Sequence, residues 1–133
     1  MPKKVLVVDD EEMVRKFLRI HLVKWGYEVK EAGDGVEALE QLGNEDFDFL
    51  LLGILMTKKD GWQVLQDVRS NPKTKDIPVI VLTAKNEDSD MFKGYELGAS
   101  YYLTKPFTKA QLLCGLKLIF EENCESLSMA GQE

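Results

Sequence analysis

The sequence predicts an α/β domain built on a doubly wound parallel sheet of five strands. Three observations predict it. The runs Val5 to Val8, Phe49 to Leu52 and Val79 to Leu82 are apolar at every position, as suits strands buried on both faces. Helix-period segments lie between these runs, so strands and helices alternate. The length of 133 residues suits one domain, large enough to bury a core without disulfide or metal staples.

Each element follows in order. The first strand, Lys3 to Val8, runs into Asp9, Asp10, Glu11 and Glu12. A helix comes next, with Val14, Phe17, Leu18, His21, Leu22 and Trp25 on one stripe, acidic residues in its first turn and Gly26 at its stop. Tyr27 to Ala32 alternates apolar and polar, which predicts an edge strand with one wet face. Asp34 opens the second helix, with Glu37 completing a capping box and Val36, Leu39 and Leu42 facing inward. The third strand is the apolar run ending at Gly53. After its loop a third helix starts near Gly61, with Val64, Leu65 and Val68 on one face. Pro72 and Pro78 bracket the connection to the fourth strand, Ile77 to Leu82. A fourth helix carries Met91, Phe92 and Tyr95 and stops at Gly98. The fifth strand is Ser100 to Leu103, and a last helix from about Thr108 packs Leu112, Leu113, Leu116, Ile119 and Phe120. Residues 1–125 form the domain and 126–133 a frayed tail.

The most apolar strands are the first, third and fourth, so the second and fifth lie outermost. The order 2-1-3-4-5 satisfies this, giving a flavodoxin-like three-layer α/β/α sandwich whose site lies at the carboxyl ends of the strands.

Composition narrows the function. The chain is 44% hydrophobic and 30% charged with net charge -6, which disfavours general binding to nucleic acid or anionic lipid, since both need a basic surface. The start, MPKKVLVVDD, has too short an apolar run for a signal peptide, and the expected location is the cytoplasm. Cys114 and Cys124 stand on one predicted helix, roughly 15 Å apart and beyond disulfide reach. His21 has no Cys or second His near it in sequence and is not read as a metal ligand.

The residues that follow the strands are Asp9 and Asp10, Gly53, Thr83 and Lys105. They should converge. Paired carboxylates suit Mg²⁺, a hard cation that takes oxygen ligands, while a lysine and a hydroxyl suit a phosphoryl group. Singly, each has a plain structural reading as a helix cap, a strand end or a solvated lysine. Their joint position at one sheet edge is what favours a site.

The segments VLVVDDEE, Asp60-Gly61, IPVIVLTA and YYLTKPF resemble the receiver domain of two-component response regulators, over Lys3 to about Phe120. The resemblance implies that Asp9 and Asp10 bind Mg²⁺ with the backbone carbonyl of Leu55. It implies that Thr83 and Tyr102 are the switch threonine and aromatic, that Lys105 binds the phosphoryl group, and that the Lys105–Pro106 peptide bond is cis. A histidine kinase or phosphotransfer protein is the implied partner. The output face would be the fourth helix, fifth strand and fifth helix, near Tyr102 and the Lys85 to Asp90 loop. Self-association into a homodimer is left open.

One departure dominates. In the family an aspartate at the end of the third strand accepts the phosphoryl group, and here that position is Gly53, with Thr57 where a proline is usual. Glycine carries no nucleophile. Asp48 is at the wrong edge of the sheet, about 16 Å away, Asp60 belongs to a turn, and Thr57 has no evident base. The sequence therefore reads as a pseudo-receiver, not an enzyme, that acts through protein interaction and keeps only a weakened Mg²⁺ site. The competing reading is an ordinary phospho-accepting receiver in which Gly53 is an engineered or variant residue. A nucleotide or flavin binder is disfavoured because no glycine-rich loop follows the first strand.

Overall fold

The computed structural model describes residues 3–54, 61–83 and 98–120. Five parallel strands, β1 (Lys4–Val8), β2 (Glu28–Ala32), β3 (Phe49–Gly53), β4 (Val79–Thr83) and β5 (Tyr101–Thr104), form one sheet. Their order is β2-β1-β3-β4-β5, as the apolar pattern predicts. The described helices are α1 (Glu12–Lys24), α2 (Gly35–Asn44), α3 (Gly61–Ser70) and α4 (Lys109–Phe120). The predicted fourth helix, with Met91, Phe92 and Tyr95, lies outside the described residues, as do Cys124 and the tail.

Alternation along each strand splits the core between the two faces of the sheet. Leu6, Val8, Leu50, Leu52, Val79 and Val81 pack with α2 and α3 through Ala38, Leu42, Val64, Leu65 and Val68. Val5, Val7, Phe49, Leu51, Ile80 and Leu82 face the other way, onto Leu18 and Leu22 of α1 and Leu112 and Leu116 of α4. A strand with helices on both sides has no use for polar residues, and every residue of β3 and β4 is buried. β2 alternates exposed and half-buried residues up to the buried Ala32, as an edge strand does.

Local chemistry fixes the helix ends. Gly26 closes α1 with φ +94, a conformation that costs glycine nothing. Asp34 caps α2 by accepting from the Glu37 N–H at 2.9 Å, and the Glu37 carboxylate accepts from the Gly33 N–H at 2.6 Å. Arg69, near the end of α3, donates to the carbonyls of Lys75 and Ile77 and, through Nε and Nη2, to that of Gly98. It ties α3 to the chain entering β5. The His21 ring is held in an aromatic row, edge-on to Phe17 at 4.6 Å and stacked on Trp25 at 5.8 Å.

Two inward assignments need correction. Val36 is 49% exposed, because α2 turns Gly35, Ala38 and Leu42 to the sheet. Small residues let the helix approach closely, and they carry little signal in a hydrophobic pattern. Leu113 is 36% exposed, one residue around the helix from the buried Leu112. Ile77 is buried but precedes β4.

Candidate functional site

Strand register brings the predicted residues to one edge. Val8 pairs with Leu52, Gly53 with Leu82, and Thr83 with Thr104. Each strand therefore ends level with its neighbour. The backbone continues the ladder past those ends, with Ile54 N–H donating to Leu82 O at 3.1 Å and Lys105 N–H to Thr83 O at 2.6 Å. Asp9, Gly53, Thr83 and Lys105 consequently stand at one edge of the sheet, each at or just past the end of its strand. The Lys105–Pro106 peptide bond is cis.

The two aspartates behave differently. Asp9 is 0% exposed, while Asp10 is exposed on the surface. Neither caps α1, whose N-cap is Glu11 without a side-chain cap bond. Instead Asp9 Oδ1 accepts from the Glu11 N–H at 2.9 Å, and its carbonyl accepts from Arg15 Nη1 at 2.6 Å. Arg15 in turn pairs with Glu31 of β2. Burying a carboxylate is costly unless it is paired, and its partner is the lysine after β5. Lys105 Nζ lies 2.7 Å from Asp9 Oδ2 and 2.7 Å from Glu11 Oε1.

Glu11 is the residue that sequence reasoning missed. It stands in the acidic run that follows the first strand, but its contact with Lys105 joins residues 94 apart in the chain and left no signal in the sequence. Thr83, the last residue of β4, is 4% exposed, and Tyr102, which pairs with Val81 two residues before that end, is 7% exposed; both are buried, on adjacent strands. Leu55, Thr57, Asp60 and the Lys85 to Asp90 loop lie outside the described residues. Asp48 is at the opposite edge, where it accepts from the Lys4 N–H at 2.6 Å.

Gly53 is where the geometry is tightest. A Cβ on it would stand 2.6 Å from Asp9 Oδ2, 3.0 Å from Asp9 Cγ and 3.2 Å from Val8 O. The Asp9 carboxylate thus leans into the space a side chain at position 53 would need. Glycine permits that close approach.

Burial pushes the Lys105 ammonium toward a lower pKa, but Asp9 and then Glu11 outweigh it, so the group sits above the ordinary lysine value of 10.5. A group whose pKa rises on folding contributes stability below its unfolded pKa and loses it as pH rises through the folded one. The midpoint difference between the wild type and Lys105→Met should therefore hold through neutral pH and shrink only above 10.5. Thermal melts across that range check it; a difference that collapses near neutrality would contradict the pairing.

Mg²⁺ prefers near-octahedral oxygen ligands and keeps several waters. The arrangement fits it poorly. Of the predicted ligands, Asp9 is engaged at both oxygens and Asp10 is exposed. Among the described residues no group of three or more His, Cys, Asp or Glu could hold a metal ion.

Beside the site a groove of about 460 Å³ is lined by Met13, Val14, Phe17, Pro106 and Phe107, with Glu11 and Lys105 at its polar end. Phe17 and Phe107 meet edge to face at 5.8 Å. Met13 is 77% exposed.

Comparison with known proteins agrees with this architecture. The family model described as response regulator receiver domain matches residues 5–117. A putative response regulator from Chloroflexus aurantiacus is 38% identical, with TM-score 0.86, covering 90% of this chain and 98% of that one. The chemotaxis protein CheY4 of Vibrio cholerae is 32% identical, with TM-score 0.83, over 88% of this chain and 98% of its own. The signal receiver domain of a signal transduction histidine kinase from Syntrophus aciditrophicus is 27% identical, with TM-score 0.80, over 88% and 89%. Among the described residues no helix is long and apolar enough to cross a membrane.

Proposed function

Because the chain belongs to the response regulator receiver domain family, we propose that it is a receiver of a two-component system that does not accept phosphate at the usual place and signals by protein contact. The observation that carries this reading is Gly53. The position at the end of β3 has no nucleophile, and the Asp9 carboxylate leans into the space a side chain there would take. With no reacting group of its own at that position, the domain works as an interaction module rather than a catalyst.

Receiver domains generally engage histidine kinases or phosphotransfer proteins. The exposed apolar groove between the start of α1 and the Lys105–Phe107 segment supports such a contact here, since an apolar surface flanked by charge suits an amphipathic partner helix. A downstream partner would meet the face that includes β5, α4 and the predicted fourth helix. If Thr83 and Tyr102 still change state, a partner must bias them in place of phosphorylation.

One observation favours a second reading, an ordinary receiver with a variant Gly53: Asp9, Thr83 and Lys105 are all gathered at the site. Intact mass after incubation with acetyl phosphate and Mg²⁺ decides between the two. The expected result is no adduct on this protein and one phosphoryl group on Gly53→Asp. An adduct on the unmodified chain would overturn the proposal and direct mapping to Thr57, Asp60, Asp9 and Asp10. If neither is modified, the 54–60 segment has disabled the site as well.

A further inference from the structure

We propose that the Lys105 ammonium, held by Asp9 and Glu11 beside Gly53, stands in the place a divalent cation would take, so that the acidic site is closed to Mg²⁺. The inference goes beyond the loss of the acceptor, because a glycine at position 53 could equally leave a two-carboxylate metal site. Three observations argue against that. Asp9 Oδ2 is buried and takes no well-directed hydrogen bond among the described residues, so its compensation is the ion pair with Lys105 at 2.7 Å. The other oxygen, Oδ1, is occupied by the Glu11 N–H at 2.9 Å. Lys105 is itself anchored from both sides, by the backbone bond from its N–H to Thr83 O and by Glu11.

The causal link is the missing side chain. A Cβ at position 53 would lie 2.6 Å from Asp9 Oδ2, and a carboxylate on it would compete for the lysine. Without either, Asp9 settles over Gly53 and holds the ammonium close, with Glu11 as the second anion. A metal could bind Asp9 only by displacing the lysine from its buried partner and leaving it with Glu11, whose side chain is 59% exposed. The exchange gives up a buried ion pair for an exposed, solvent-screened one, which is unfavourable for the lysine.

The test is thermal melting of the whole chain in EDTA and in about 10 mM MgCl₂, for the wild type and Lys105→Met. The wild-type midpoint should move by less than about 1 °C, while Lys105→Met, left with Asp9, Asp10 and Glu11 uncompensated, should rise by about 5 °C. A wild-type midpoint that rises with Mg²⁺, or a Lys105→Met midpoint that ignores it, would overturn the proposal. Should Lys105→Met not fold, the wild type alone still decides through Mn²⁺. Selective broadening of the Asp9, Asp10 and Glu11 amide resonances would sink the idea, and uniform spectra would support it. Neither readout involves phosphorylation, so the outcome is separable from the acetyl phosphate result.

Discussion

Gly61→Ala should lower the thermal midpoint by about 10 °C, the equivalent of roughly 2–3 kcal/mol for a domain of this size. Gly61 opens α3, and its N–H donates to Ile54 O at 2.9 Å. The helix start is laid directly on the end of β3. A Cβ there would overlap the carbonyl oxygen of Gly53 and come within 2.7 Å of Ile54 Cα and 2.8 Å of Ile54 Cδ1. Two of those three atoms are backbone, and Ile54 is held in turn by its N–H bond to Leu82 O. They have nowhere to go, so α3 must move instead. Alanine's better helix propensity returns up to about 1 kcal/mol, which the overlap exceeds. Gly43→Ala is the control, since Gly43 lies in α2 with nothing within 4 Å of its added Cβ. It should leave the midpoint unchanged or slightly raised. Equal behaviour of the two variants would show that the close contact at Gly61 is not a constraint.

That glycine also shows where a sequence stops being informative. The Asp60-Gly61 step reads as turn chemistry, which suggests a backbone need. Gly61 has no positive φ; what it needs is room, and room depends on which segment lies opposite. The strand order was legible because burial on two faces removes every polar residue from Val5–Val8, Phe49–Leu52 and Val79–Leu82, whereas an edge strand keeps its alternation. The meeting of Asp9, Thr83 and Lys105 was legible for the same reason, as parallel strands of matched length put their ends level. Side-chain partners were not. Nothing in the acidic run distinguishes Asp10, which is exposed, from Glu11, which shares the lysine, because that choice depends on how the chain turns between β1 and α1. Val36 was misplaced because Gly35 and Ala38 make a helix face that is close-packed without being strongly apolar.

Gly53→Asp, melted without divalent metal, should be the less stable protein, by about 3 kcal/mol or near 10 °C. Two terms act in the same direction. The new Cβ would meet Asp9 Oδ2 at 2.6 Å, and Asp9 cannot simply swing away, because Oδ1 holds the Glu11 N–H and Oδ2 holds Lys105. The second term is charge. Another carboxylate beside Asp9 repels it by up to about 4 kcal/mol at 4 Å and an effective dielectric of 20. Lys105 offsets part of this by turning toward the newcomer, at the expense of its contact with Glu11. Relief of the strand's glycine returns only about 0.5–1 kcal/mol. Gly53→Ala separates the terms, since it adds the contact without the charge and should fall between the wild type and Gly53→Asp. Adding Mg²⁺ should then raise Gly53→Asp and leave the wild type where it was, because only the variant adds a further carboxylate to the two that already share Lys105. A midpoint for Gly53→Asp at or above the wild type in EDTA would mean that Asp9 is free to move, and that its pairing with Lys105 does not depend on the glycine.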